Sequence, residues 1–173
     1  MVLPSLARTR TEAFTRSAIS SRSHWAMAAI IGLSEGEVQA VCQEVTRVFV
    51  ASINSSHQVV ISGEEEAVEK AIQLCVQRGA LLAKRLPIGW AIHTPLMERA
   101  SQAFAQEIKD WQIRPPRFPV LSYLRAEFLK TPEEIKQELS AQFSQPNCWH
   151  KVLLRMVEEG IDTFIEVGPG NVL

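Results

Sequence analysis

His93 stands in the stretch PIGWAIHTPLM, residues 87–97, between an apolar run and a proline of the kind that opens a helix. An imidazole is the side chain that takes up and returns a proton near neutral pH. The apolar run predicts a strand that delivers His93 to its end, where α/β sheets build their sites. A helix beginning at Thr94-Pro95 would turn its positive end towards the ring, disfavour imidazolium and keep a neutral base. The same setting also suits a buried, hydrogen-bonded histidine beside a helix start, and the residues alone leave both readings open. A partner nucleophile is suggested by GLSEG, residues 32–36, which fits G-x-S-x-G between a strand and a helix. Ser34 and Glu37 also form S-x-x-E, a capping box that would occupy the Ser34 hydroxyl with its own helix. EVGPG, residues 166–170, places two glycines around a proline, so that backbone can approach a ligand closely or simply turn. No second carboxylate is placed near Glu166. His24, His57 and His150 are accounted for by turn or surface positions.

Those residues need elements to hold them. WAMAAIIGL reads as a strand, and in the helix that follows Val38, Val41, Cys42 and Val45 share one face. RVFVASIN and QVVISG read as strands around an SSH turn. EEEAVEKAIQLCVQRG is a helix stopped by Gly79, and ALLAKRLPI is a further strand. The order over residues 25–88 is β-α-β-β-α-β, the ferredoxin-like plan, which by itself names no function. Beyond it come a helix over 94–111, a strand at FPVLSYL, and a helix opened by the capping box Thr131-Pro132-Glu133-Glu134. A helix closed by Gly160 and a strand at DTFIEVGPG complete the chain. This alternation predicts a parallel sheet with helices packed on it. Two strands cannot make a doubly covered sheet, so that α/β part reads as incomplete. The predicted division is 1–24, 25–88 as a small lobe, and 89–173 as part of a large α/β lobe.

The composition narrows the classes. The chain has 173 residues, enough for one good core, and its net charge of −1 leaves no electrostatic footprint for nucleic acid. No apolar run approaches the roughly 18 residues of a membrane span. Cys42, Cys75 and Cys148 are odd in number and form no CxxC pair, which predicts buried thiols in a reducing, cytoplasmic compartment. The histidines and cysteines show no metal spacing. Residues 1–24 carry four arginines, many Ser and Thr, and one acid, Glu12. That composition suits either an organelle transit segment or an amphipathic helix with Leu3, Leu6, Phe14 and Ala18 on one stripe.

Taken in order, AMAAIIGL, INSSHQVVISG, PIGWAIHTPLM, LSAQFSQPNCW and FIEVGPGNVL resemble malonyl-CoA:acyl-carrier-protein transacylases and the related acyltransferase domains of polyketide synthases. The resemblance runs from about Leu6 to Leu173, and the set is specific although each motif alone is weak. It implies an α/β fold in which an α/β-hydrolase-like core carries an inserted ferredoxin-like lobe. It also implies a serine that attacks the thioester of malonyl-CoA, with His93 as its base. Gln142 would steady His93 through its backbone carbonyl. Arg10, in ARTRTEAF, would grip the malonyl carboxylate with a two-pronged guanidinium, though Thr11 stands where the family has glycine. Asn54 would lie near the site. Arg10 in that role favours the helical reading of residues 1–24, as part of the large lobe, over the transit reading.

The acceptor implied is the phosphopantetheine thiol of an acyl carrier protein, in fatty acid or polyketide synthesis, with no bound cofactor. Bulky Trp90 and Ile92 before His93 favour the small malonyl group. The sequence departs from the family in one decisive respect: it contains no G-H-S-x-G, and its first glycine is Gly32. The glutamine-glycine segment that supplies an oxyanion donor is missing as well. The expectation is therefore a C-terminal portion, not competent alone: either a truncated or mis-started product, or half of a split enzyme whose N-terminal piece supplies the serine. Two other classes remain: a non-catalytic module that docks a carrier protein or synthase, and a serine hydrolase using Ser34 and His93.

Overall fold

The computed structural model describes residues 24–167. Arg10, the expected N-terminal helix and the final GPGNVL lie outside the described residues. Strand β1, Trp25–Ile31, is apolar on both sides, which suits a central strand: Ala26, Ala28 and Ile30 face one side and Met27 the other. Helix α1, Glu35–Glu44, buries Val38, Val41 and Cys42, the face its spacing predicts. Strands β2, Val48–Ser55, and β3, Gln58–Glu64, form a hairpin around Ser56-His57. Helix α2, Glu65–Gln77, ends in a left-handed Gly79 at φ 90°. Gly79 N–H donates to Val76 O and Ala80 N–H to Cys75 O, so the last carbonyls are paired in a Schellman arrangement. Strand β4 is only Leu82–Arg85.

The sheet order is β2-β3-β1-β4, antiparallel throughout. One face is covered by α1 and α2, around Ile30, Val38, Val41, Val59, Ile61 and Val68. Each such aliphatic side chain contributes about 1.5–3 kcal/mol on leaving water. Burial pushes the Cys42 thiol up to about 12, so it stays protonated and inert at neutral pH. The other face carries Met27, Ala51 and Val60 under Leu86 and Ile92. Strand β2 is bulged twice. Val50 and Ser52 pair with consecutive residues of β3, as do Ile53 and Ser55, so Ala51 and Asn54 are the extra residues. At Gly63 the neighbouring chain comes so close that a Cβ would lie 2.2 Å from Arg47 O.

Beyond the sheet, a 3-10 turn, Pro95–Met97, leads into helix α3, Glu98–Ile108. Helices α4, Pro132–Ala141, and α5, Trp149–Glu158, follow. The Thr131–Glu134 capping box is present, and Gly160 ends α5 at φ 82°. α3 packs on α4 through Met97, Ala100, Phe104 and Ile108, with the Phe104 and Phe143 rings 5.1 Å apart.

Three expectations for the second half are corrected. Residues 118–124 form no strand beyond a single bridge, Leu121 to Phe128. Residues 161–167 have no ladder partner among the described residues, and Ile165 and Val167 are exposed. The parallel sheet is thus not found among the described residues, whose sheet is the antiparallel one. An extended segment becomes a strand only where another edge supplies its hydrogen bonds.

Candidate active site

His93 does not end a strand. It lies in an irregular segment between β4 and the 3-10 turn, with its backbone in the left-handed region at φ 62°. Two bonds to the end of α4 hold it there: His93 N–H donates to Phe143 O at 2.9 Å, and the ring Nδ1 bonds Gln142 O at 2.5 Å. The last carbonyls of a helix have no partners within it, so the end of α4 is a ready acceptor for both. The charged end that meets the ring is therefore the negative end of α4, bonded at Nδ1, in addition to the helix start expected at Thr94-Pro95. The buried Thr94 hydroxyl does not cap that start. It donates instead to Ala91 O at 2.6 Å, which pins the turn beside His93.

A carbonyl can only accept, so Nδ1 carries the proton. That leaves the lone pair on Nε2, where Asn147 Nδ2 donates at 3.0 Å. The imidazole in this arrangement is the neutral Nδ1–H tautomer, with the basic nitrogen turned away from α4. Asn147 is itself held by backbone on both sides. Its N–H donates to Ala51 O and its carbonyl accepts from Ile53 N–H, both at 2.9 Å, so it bridges the bulged stretch of β2. Its Nδ2 also lies 3.5 Å from Ser52 Oγ. The residue is 6% exposed, and its Oδ1 accepts no hydrogen bond from the described residues.

Among the expected site residues, His93 and Gln142 are brought together. Asn54 sits at the second bulge of β2, two residues beyond Ser52, and makes no hydrogen bond to the ring. Ser34 is not joined to His93. Its hydroxyl bonds Glu37 Oε2 at 2.7 Å and accepts from Glu37 N–H, while Ser34 N–H donates to the same carboxylate. Those bonds hold the exposed Glu37 carboxyl below its ordinary range. Their contribution is present above the unfolded-state value and is lost as pH falls through the folded one. Ser34→Ala is expected to cost about 1 kcal/mol in urea unfolding, the usual worth of a cap, and to leave the His93 ring signals unmoved. A shifted ring would place Ser34 in the site after all.

Sequence reasoning missed two residues. One is Asn147, in QPNCW, where an asparagine after proline reads as a turn. The other is Glu138, 4% exposed on α4. Its carboxylate accepts from Ser122 Oγ at 2.6 Å, Tyr123 N–H at 2.8 Å and Gln142 Nε2 at 3.4 Å. The turn it gathers then holds the next element, since Cys148 N–H donates to Tyr123 O at 2.8 Å. One buried carboxylate is thus tied directly to Gln142 and, through the 122–124 turn, to the residue after Asn147. Among the described residues no three His, Cys, Asp or Glu side chains converge as metal ligands, and no helix is long and apolar enough to cross a membrane.

Residues 10–173 match the acyl transferase domain family. The malonyl CoA-acyl carrier protein transacylase of Escherichia coli strain K12 is 36% identical over 151 residues, which are 86% of this chain and 49% of that protein. That of Bacillus subtilis strain 168 is 33% identical over 152 residues, 86% of this chain and 48% of that protein. Among solved structures, the malonyl CoA-acyl carrier protein transacylase from Coxiella burnetii superposes with a TM-score of 0.85 at 32% identity, covering 91% of this chain and 50% of that one. A type II PKS acyl-carrier protein in complex with its malonyl-transacylase gives 0.90 at 30% identity, over 95% and 54%. The chain spans about half the length of the curated relatives it matches.

Proposed function

The chain belongs to the acyl transferase domain family, and on that premise we propose that it carries the proton-handling half of a site that moves malonyl from CoA to an acyl carrier protein. The observation that carries this reading is the His93 ring, its Nδ1 bonded to Gln142 O and its Nε2 left as the basic atom. The nucleophile is a serine in a G-H-S-x-G segment, which this sequence does not contain. His93 Nε2 takes the serine proton as the oxygen attacks the malonyl thioester carbonyl, and gives it to the departing CoA thiolate. In the second half the phosphopantetheine thiol of the carrier protein loses its proton to Nε2 and attacks the acyl-serine, and the proton returns to the serine oxygen. Gln142 keeps Nδ1 protonated throughout, and the negative end of α4 favours the imidazolium that forms at each step. Arg10 clamps the malonyl carboxylate, and Asn54 lines the site from β2. In this reading residues 25–88 are a ferredoxin-like lobe inserted in an α/β-hydrolase-like core, which the order β2-β3-β1-β4 supports. Residues 89–167 belong to the core.

Intact-mass measurement after mixing with malonyl-CoA tests this. The chain alone should take no adduct. With a coexpressed polypeptide carrying a G-H-S-x-G segment, a malonyl adduct on that serine and transfer to holo carrier protein are expected. An adduct on the chain alone would point to a serine of its own, with Ser34 the first to map. Binding of the second polypeptide without transfer would sink the two-piece reading.

A further inference from the structure

We infer that Asn147 is a positioning residue that follows the proton on His93, presenting Nδ2 to the neutral ring and Oδ1 to the protonated one. The inference rests on the proposed role of His93 only for its catalytic consequence; the contact itself is structural. Nδ2 faces Nε2 at 3.0 Å, and Oδ1 is buried without a donor. A buried carboxamide oxygen with no partner is uncommon in a folded protein, and the rotation below would give this one a partner. When Nε2 takes a proton, an N–H on the ring faces an N–H on the amide, and two donors oppose each other. Rotation of the carboxamide about its terminal bond brings Oδ1 to the ring, where it accepts a charge-assisted bond, the stronger kind. The Ser52 hydroxyl, 3.5 Å from the amide nitrogen, can turn its own proton towards the oxygen that arrives there. The backbone of Asn147 need not move, because its N–H and carbonyl stay bonded to β2. No covalent bond forms or breaks at Asn147. The proton comes to Nε2 from the attacking hydroxyl or thiol and leaves to the departing thiolate or serine oxygen.

Other titratable or charged side chains stand on the elements around the ring. They include Glu98 and Arg99 at the start of α3, Glu138 on α4, and Cys148 and His150 at the start of α5. β2 contributes the uncharged Ser52, whose hydroxyl lies 3.5 Å from Asn147 Nδ2. Asn147 meets the ring at Nε2, from 3.0 Å.

The test is a pH titration of the 15N-labelled chain, following the ring nitrogens of His93 and the side-chain amide of Asn147. Signals are assigned by their loss in His93→Asn and Asn147→Leu. In the unaltered chain the Asn147 Nδ2 signals should move with the same midpoint as the His93 ring, and the neutral ring should show the Nδ1–H tautomer. Asn147→Leu removes the charge-assisted acceptor and should lower the proton affinity of His93 about tenfold, one pH unit. The isosteric Asn147→Asp, a permanent acceptor, should raise it. Nδ2 signals that ignore the ring titration overturn the inference. So does a midpoint in Asn147→Leu that is unchanged or raised, which is what a fixed amide donor would give. None of these readouts depends on acyl transfer, so failure of the proposed function and failure of this inference are told apart.

Discussion

On the proposed reading, His93→Asn in the chain coexpressed with a polypeptide carrying a G-H-S-x-G segment should lower malonyl transfer by on the order of 10⁴-fold or more. The size follows from how such groups act: a nucleophile without its base loses nearly the whole benefit of the arrangement. Asparagine is the informative replacement because His93 has a φ of 62°, and asparagine tolerates left-handed backbone better than alanine does. The backbone bond to Phe143 O is kept, so the fold pays little for losing the ring. Transfer is measured as radiolabel or mass on the holo carrier protein, with a urea midpoint taken on the same sample. A fall of less than tenfold in a folded variant would make His93 a structural histidine that ties α4 to the segment after β4. A large fall in transfer with an unchanged midpoint is the result expected of the proposed base.

The largest effect on stability is expected at Glu138. Its carboxylate is buried and takes a short bond from Ser122 Oγ and another from the Tyr123 amide, with Leu124 N–H at 3.3 Å. Bonds to a charged acceptor are worth about 1.5–3 kcal/mol each, and donors left buried without an acceptor cost a similar amount. Glu138→Ala should therefore destabilise the chain by roughly 3–5 kcal/mol in urea or thermal unfolding. Hydrogen exchange at Tyr123 and Cys148 should rise with it, because the 122–124 turn loses its anchor. A loss below about 1 kcal/mol would mean that water replaces the carboxylate without strain.

How far the sequence carries can be judged residue by residue. The capping boxes at Ser34 and Thr131 and the glycine stops at Gly79 and Gly160 were legible because each is decided within four or five residues. The β-α-β-β-α-β order was legible because short apolar strand runs, the SSH turn of one hairpin and two helices with apolar faces follow one another. The strands expected at 118–124 and at DTFIEVGPG have the same local pattern, but a ladder is a property of two segments, and none forms along 118–124 or 162–167 among the described residues. The setting of His93 was half legible. Its neighbours marked a helix start, yet nothing local reveals a left-handed histidine, which is fixed by acceptors 49 and 50 residues away. Asn147 and Glu138 were invisible for a like reason. Asn147 meets Ser52 across 95 residues, and Glu138 is buried by a turn that carries no pattern of its own. The two bulges in β2 follow from the pairing with β3 and leave no mark on composition.

The wide spacing of the site also fixes when it can exist during synthesis. Among the described residues the strands of 25–85 pair only with one another along their ladders, so the sheet can close while later residues are still inside the ribosome. At that stage His93 has neither Gln142 to hold Nδ1 nor Asn147 at Nε2. The bulged edge of β2 likewise lies open until Asn147 emerges to bond Ala51 and Ile53. A nascent chain thus passes through an interval with a finished sheet, an uncovered strand edge and an unassembled base. A premature stop before residue 147 would leave that stretch of the edge without its Asn147 partner.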